Sequence, residues 1–263
     1  FGLVLRVYMY LLLLSLVAPT VNAFGNDLES MPVVSISEAS AFDLRDNWVS
    51  DHLSNHQKVP FSFFYDRVES SQIISDWKFH SERFEVNPQK TQRTLRYRDP
   101  DSGLEIRLEA TIFKSHPAIE WVIRIKNTGL IETPVISELM ALDSVFGAQD
   151  SSFLLHYARG VGEGVSAKAT DLGPVRKALN PKSTLRMSSM HGRPSWGESL
   201  PFFNLEMVRE GSSRGVVMGI GWTGQWHASF RREDDSVQLR AGMEGTHLKL
   251  FPGEEIRSPK VML

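Results

Sequence analysis

Two alternating runs held around one polar turn constrain this chain more than any other feature. "RTLRYRD" (93–99) and "LEIRLEATIF" (104–113) flank Asp99-Pro100-Asp101-Ser102-Gly103. In the second run Leu104, Ile106, Leu108, Ala110 and Ile112 share one face, and Glu105, Arg107, Glu109 and Thr111 the other. Period-2 alternation on both sides of a Pro/Gly turn is a hairpin signature. One dry face and one wet face belong to an antiparallel sheet packed on one side only. The pattern recurs. Phe61, Phe63 and Tyr65 alternate with polar neighbours, and "AIEWVIRIKN" (118–127) aligns Ile119, Trp121, Ile123 and Ile125. "PVISELMALDSVF" (134–146) follows, then "FLLHYA" (153–158), "FFNLEMV" (202–208), "GVVMGIGW" (215–222), "QWHASFRR" (225–232), "SVQLRAG" (236–242), "THLKLF" (246–251) and "IRSPKVML" (256–263). Turns with Gly or Asp separate these runs at the spacing of a sandwich, so the expected class is all-β, a large antiparallel β-sandwich. Residues 147–200, rich in Gly, Ser and Pro, read as long loops and short strands at one end of the sheets, where binding residues gather.

The front of the chain reads as targeting. Arg6 precedes an apolar run from Val7 to Ala18, and Val21-Asn22-Ala23 has the small-x-small form of a cleavage site, so residues 1–23 are expected to be a secretory signal peptide. The run falls short of the roughly 20 residues that a bilayer span needs, and no membrane association is expected after cleavage. Residues 24–58 form a lead-in segment without a clean period, and the sandwich domain begins at 59. Without cysteine, an exported protein depends on core burial, which 41% hydrophobic content can supply. The expected location is secreted or periplasmic. With 29 Lys+Arg against 31 Asp+Glu there is no basic field for a nucleic acid. His52 and His56, four apart, lack the rest of a helical zinc site and read as a solvated pair, so neither a metal nor a cofactor is expected.

A glycosidase needs two facing carboxylates. Asp99, Asp101, Asp234 and Asp235 sit in turns, Glu254 and Glu255 follow Pro252-Gly253, and Glu105 and Glu109 lie on a wet strand face, all positions with structural uses for acids. No catalytic residue is assigned. The aromatic stretches say more. In "GIGWTGQW" (219–226), Thr223-Gly224 suits a two-residue hairpin turn, with Trp222 and Trp226 either filling the core or forming a sugar-stacking platform. In "GRPSWGESLPFFNLE" (192–206), Trp196 sits in a Gly/Pro-rich loop with Arg193 and Glu198 near it, equally open to a core or a contact role.

"PFSFFYD", "TLRYRDPDSGLEIRLEATIF", "HPAIEWVIRIKNTGLIETPVI", "LPFFNLE", "GVVMGIGWTGQW" and "LFPGEEIRSPKVML", in this order, resemble the N-terminal β-sandwich region of glycoside hydrolase family 36, the α-galactosidases. The likeness runs from residue 60 to the end. The resemblance implies that the strand at "SPKVML" leads into a (β/α)₈ barrel bearing the two catalytic aspartates of a retaining mechanism. On that reading the chain is a fragment, beginning with Phe1 and ending in a trailing, unpaired strand. The resemblance further implies α-galactoside sugars as ligands, a homo-oligomer, and substrate contacts from Arg193 and Trp196. The family's loop there is of Arg-Gly-Ser-Ser-His type ending in Asn-Pro-Phe; here it is "HGRPSWGESLPFF", with Leu200 in place of the Asn and Trp196 added. The competing expectation is a stand-alone carbohydrate-binding module, since a sandwich with a loop Trp suits sugar stacking and fold does not fix function.

Overall fold

A computed structural model describes residues 38–54, 56–162 and 172–263; the expected signal peptide and residues 24–37 lie outside the described residues. In chain order the strands are β1 (Ser62–Tyr65), β2 (Val68–Glu69), β3 (Lys78–Asn87), β4 (Lys90–Arg98), β5 (Leu104–Phe113), β6 (Ile119–Asn127), β7 (Ile136–Gly147), β8 (Ser152–Ala158), β9 (Pro174–Ala178), β10 (Thr184–Met190), β11 (Arg193–Gly197), β12 (Phe202–Arg209), β13 (Ser212–Gly221), β14 (Trp226–Arg232), β15 (Ser236–Met243), β16 (His247–Leu248), β17 (Glu255–Arg257) and β18 (Lys260–Met262). They form an eight-stranded sheet, ordered β11-β10-β14-β15-β7-β1-β2 with β16 on β7, and a ten-stranded sheet, ordered β3-β4-β5-β6-β18-β13-β12-β8-β9 with β17 on β6. All the paired strands are antiparallel, and the sheets enclose one core, so the expected sandwich is what the chain forms.

The dry faces are those the alternation marked. Leu104, Ile106, Leu108 and Ala110 of β5 meet Ile123, Ile125 and Trp121 of β6, all buried. Trp121 also joins the sheets: its indole Nε1 donates to the carbonyl of Ala141 in β7, 2.8 Å away. On the wet face the acids of β5 are structural. Glu109 accepts from Arg107 Nε at 2.8 Å and from Arg124 Nε at 3.2 Å, and Arg124 reaches Glu255 at 2.9 Å. Asp99 closes the β4–β5 turn, accepting from Ser102 Oγ at 2.5 Å and from the amide of Asp101 at 3.2 Å.

Four expectations are corrected. The lead-in contains a 16-residue helix, α1 (Glu38–Leu53), tied down where Arg45 donates to the carbonyls of Phe113 and His116. Trp48 stacks on Trp121 with ring centroids 5.2 Å apart, and Leu53 is fully buried. His52 is consequently no solvated partner of His56: it is buried, stacked 4.5 Å from Trp48 and bonded to that residue's carbonyl through Nδ1 at 3.1 Å. Thr223-Gly224 does not turn a hairpin, because β13 and β14 belong to different sheets and 222–225 carries the chain between them. The last strand is not unpaired either. β18 lies between β6 and β13, with Val261 opposite both Trp121 and Ile220, and Leu263 exchanges backbone bonds of 2.9 Å with Ile119.

Candidate functional site

The site expected around Arg193 and Trp196 lies on β11, the edge strand of the eight-stranded sheet, rather than in a free loop. Besides its pairing with β10, two further contacts hold that strand. Trp226, fully buried in the core, donates from Nε1 to the carbonyl of Pro194 at 2.8 Å, and Val161 bonds the backbone on either side of Trp196, to Ser195 at 2.9 Å and Gly197 at 3.1 Å. Of the two tryptophans in "GIGWTGQW", therefore, Trp226 is a core residue and Trp222 packs half-buried against the core.

The structure brings Arg193 and Trp196 together. The Arg193 guanidinium sits over the Trp196 ring at 4.5 Å from its centroid, and His191 meets the same ring edge-on at 6.4 Å. An arginine so placed is attracted by the ring's negative face and is fixed as a hydrogen-bond donor at the surface. Trp196 itself is half-buried, which joins the core and contact roles the sequence left open.

Beside this edge, over the face of the eight-stranded sheet turned away from the core, a cleft of about 660 Å³ opens. Glu138, Glu198 and Glu244, the guanidiniums of Arg186 and Arg240, and the imidazole of His227 line it, bordered by the buried Met140 and Met187 and the half-buried Met243. The register explains the convergence: Ser229 stands opposite both Arg186 and Arg240, and His227 opposite both Ser188 and Gly242, so outward positions of β10, β14 and β15 fall in rows. Arg240 is braced from below by Asp143, which lies 3.1 Å from its Nε and accepts from Ser62 Oγ at 2.6 Å and Gln238 Nε2 at 2.8 Å. Burial pushes the His227 imidazole below its ordinary value, against the pull of Glu244, so the ring is neutral at pH 7. Gln225 links cleft to edge, accepting from the amide of Gly192 at 3.2 Å and donating to Glu244. Neither Arg193 nor Trp196 lines the cleft; Glu198, one residue past β11, does.

Sequence reasoning passed over His227, Arg186 and Arg240. A signal was present in the polar face of "QWHASFRR" and "SVQLRAG", which alternation assigns to the side away from the core, but only the cross-strand register sets those residues side by side.

No protein-family model and no curated protein matches the chain. Solved structures do. The GH36 α-galactosidase AgaA from Geobacillus stearothermophilus superposes with a TM-score of 0.59 at 16% identity over 78% of this chain and 29% of its own. The galactosidase domain of the α-galactosidase–sucrose kinase AgaSK gives 0.56 at 17% identity, and the α-galactosidase of Lactobacillus brevis 0.58 at 13%, covering 78% of this chain and 29% and 28% of theirs. AgaA variants have been solved with raffinose and with stachyose. The chain thus spans less than a third of the length of these three α-galactosidase structures. Across that span it has the fold of a β-sandwich portion of the glycoside hydrolase family 36 α-galactosidases.

Proposed function

We propose that this chain is the N-terminal, non-catalytic sandwich of an exported α-galactosidase, secreted or periplasmic after removal of residues 1–23. Terminal α-galactosides are cleaved with retention in a (β/α)₈ barrel that follows Leu263. The observation that supports this reading most is the fold match over 78% of the chain to three α-galactosidase structures of which it covers under a third. Acids weighed above as a catalytic pair have other work. Asp99 and Asp101 build a turn, Asp235 holds the backbone of Asp150, and Glu105, Glu109 and Glu255 belong to the arginine ladder on the wet face.

In the whole protein, Arg193 and Trp196 border the sugar-binding site, the guanidinium donating to ring hydroxyls and the indole offering an apolar surface to a pyranose. The protein assembles as a homo-oligomer. Substitution tests the sugar contact. In the chain extended through the coding sequence beyond Leu263, Arg193→Ala and Trp196→Ala should raise KM for raffinose about tenfold while kcat falls less. Unchanged KM in both variants would remove these residues from the site.

A further inference from the structure

Three regions outside the Arg193–Trp196 edge could carry a function: the exposed edge strand β3, an apolar groove beside α1, and the polar cleft on the eight-stranded sheet. The cleft carries the argument furthest. Three of its charges are unspent. Arg186, Glu138 and Glu198 have no ion-pair partner among the described residues, although opposite charges share one concavity. Surface arginine and glutamate side chains gain modestly by pairing where reach allows, so their separate placement around an open volume leaves donors and acceptors aimed at whatever enters.

The chemistry of that lining selects a class of ligand. Two guanidiniums oppose three carboxylates, and the neutral imidazole of His227 adds no charge, so the field suits neither a polyanion nor a polycation. Carboxylates only accept hydrogen bonds and guanidiniums only donate, whereas a neutral imidazole does both. Interleaved in this way they match hydroxyls, each of which also donates and accepts. Among the described residues His227 Nδ1 has no hydrogen-bond partner and is shielded from solvent. A volume of about 660 Å³ is within the range of small-molecule sites. Arg240, held from below by Asp143, is preorganised.

We propose that this cleft is a binding site for a neutral pyranose sugar, distinct from the Arg193–Trp196 edge and fully contained in this chain. The proposal rests on the cleft's own groups, and its failure would leave the hydrolase reading as it stands. The test is calorimetric titration of the 263-residue chain with galactose, glucose and mannose, with glucuronate and glucosamine as charged controls. Saturable binding of a neutral hexose is expected, weaker by about tenfold or more in Arg186→Ala and Glu198→Gln, exposed positions whose change spares the core, and unaltered in Trp196→Ala. Circular dichroism confirms that each variant is folded. The proposal is overturned if no hexose binds saturably, if glucuronate or glucosamine binds more tightly than every neutral sugar, or if Trp196→Ala abolishes binding while the cleft variants retain it.

Discussion

Asn127 is fully buried, and each polar atom of its side chain has a use. Nδ2 donates to the carbonyls of Ile131 at 2.7 Å and Leu250 at 2.8 Å, and Oδ1 accepts from the amide of Gly129 at 2.9 Å. One amide thereby stitches the end of β6 to the loop before β7 and to the segment after β16. Asn127→Asp keeps the shape but loses both donors beside two buried carbonyls, and should lower unfolding free energy by about 2 to 4 kcal/mol in urea titration. Ser258 acts similarly where β17 breaks from β18: its hydroxyl accepts from the amide of Ile123 at 3.0 Å and donates to the carbonyl of Pro259 at 2.7 Å. Ser258→Ala is expected to cost about 1 to 3 kcal/mol, because the amide of Ile123 then stays buried without that side-chain partner. Neither role can be seen in the sequence, where Asn127 closes a strand run and Ser258 precedes a proline. A buried hydrogen bond leaves no periodic trace.

At the scale of elements, legibility followed burial. β5, β6 and β12 were visible because one face of each is packed and the other wetter. β3 was missed: all ten of its residues are exposed, so nothing forces apolar and polar side chains to alternate. α1 was missed for a related reason, since it buries a narrow stripe through Trp48, Val49, His52 and Leu53 and leaves Leu44 41% exposed. "THLKLF" overstates its strand, of which only His247 and Leu248 pair. The final segment shows why a chain end alone misleads. Sequence order suggests a strand with nothing beside it, yet β18 fills the gap between β6 and β13. Deleting residues 258–263 would open the ten-stranded sheet at its middle and uncover the Val261 position in the core. Loss of the cooperative thermal transition is the expected result, whereas a transition shifted by only a degree or two would mean that the sheet closes without β18.

For the whole molecule, two histidines, His52 buried and His227 half-buried, shape the response to acid. Burial lowers the proton affinity of both His52 and His227 below that of a free imidazole, which titrates at about 6.5. As pH falls through that value the unfolded chain takes up protons that the folded chain resists, so stability declines on acidification and recovers above it. Urea midpoints at pH 7.5, 6.5 and 5.5 should fall in that order, and His227→Asn should flatten the slope; a midpoint that rises toward pH 5.5 would contradict the burial of these rings. The fold class and the supporting role of the surface acids were legible in composition and alternation. The cleft was not, because it arises from register between β10, β14 and β15 and from Arg240 being braced by β7.

The central proposal is that the sandwich is the non-catalytic part of a larger α-galactoside hydrolase. Release of nitrophenol from 4-nitrophenyl α-galactoside measures it most directly, using the 263-residue chain beside the product extended through the coding sequence beyond Leu263. The account predicts no turnover above buffer by the first and enzymatic turnover by the second. Hydrolysis by the 263-residue chain alone, or none by the extended product, would contradict it.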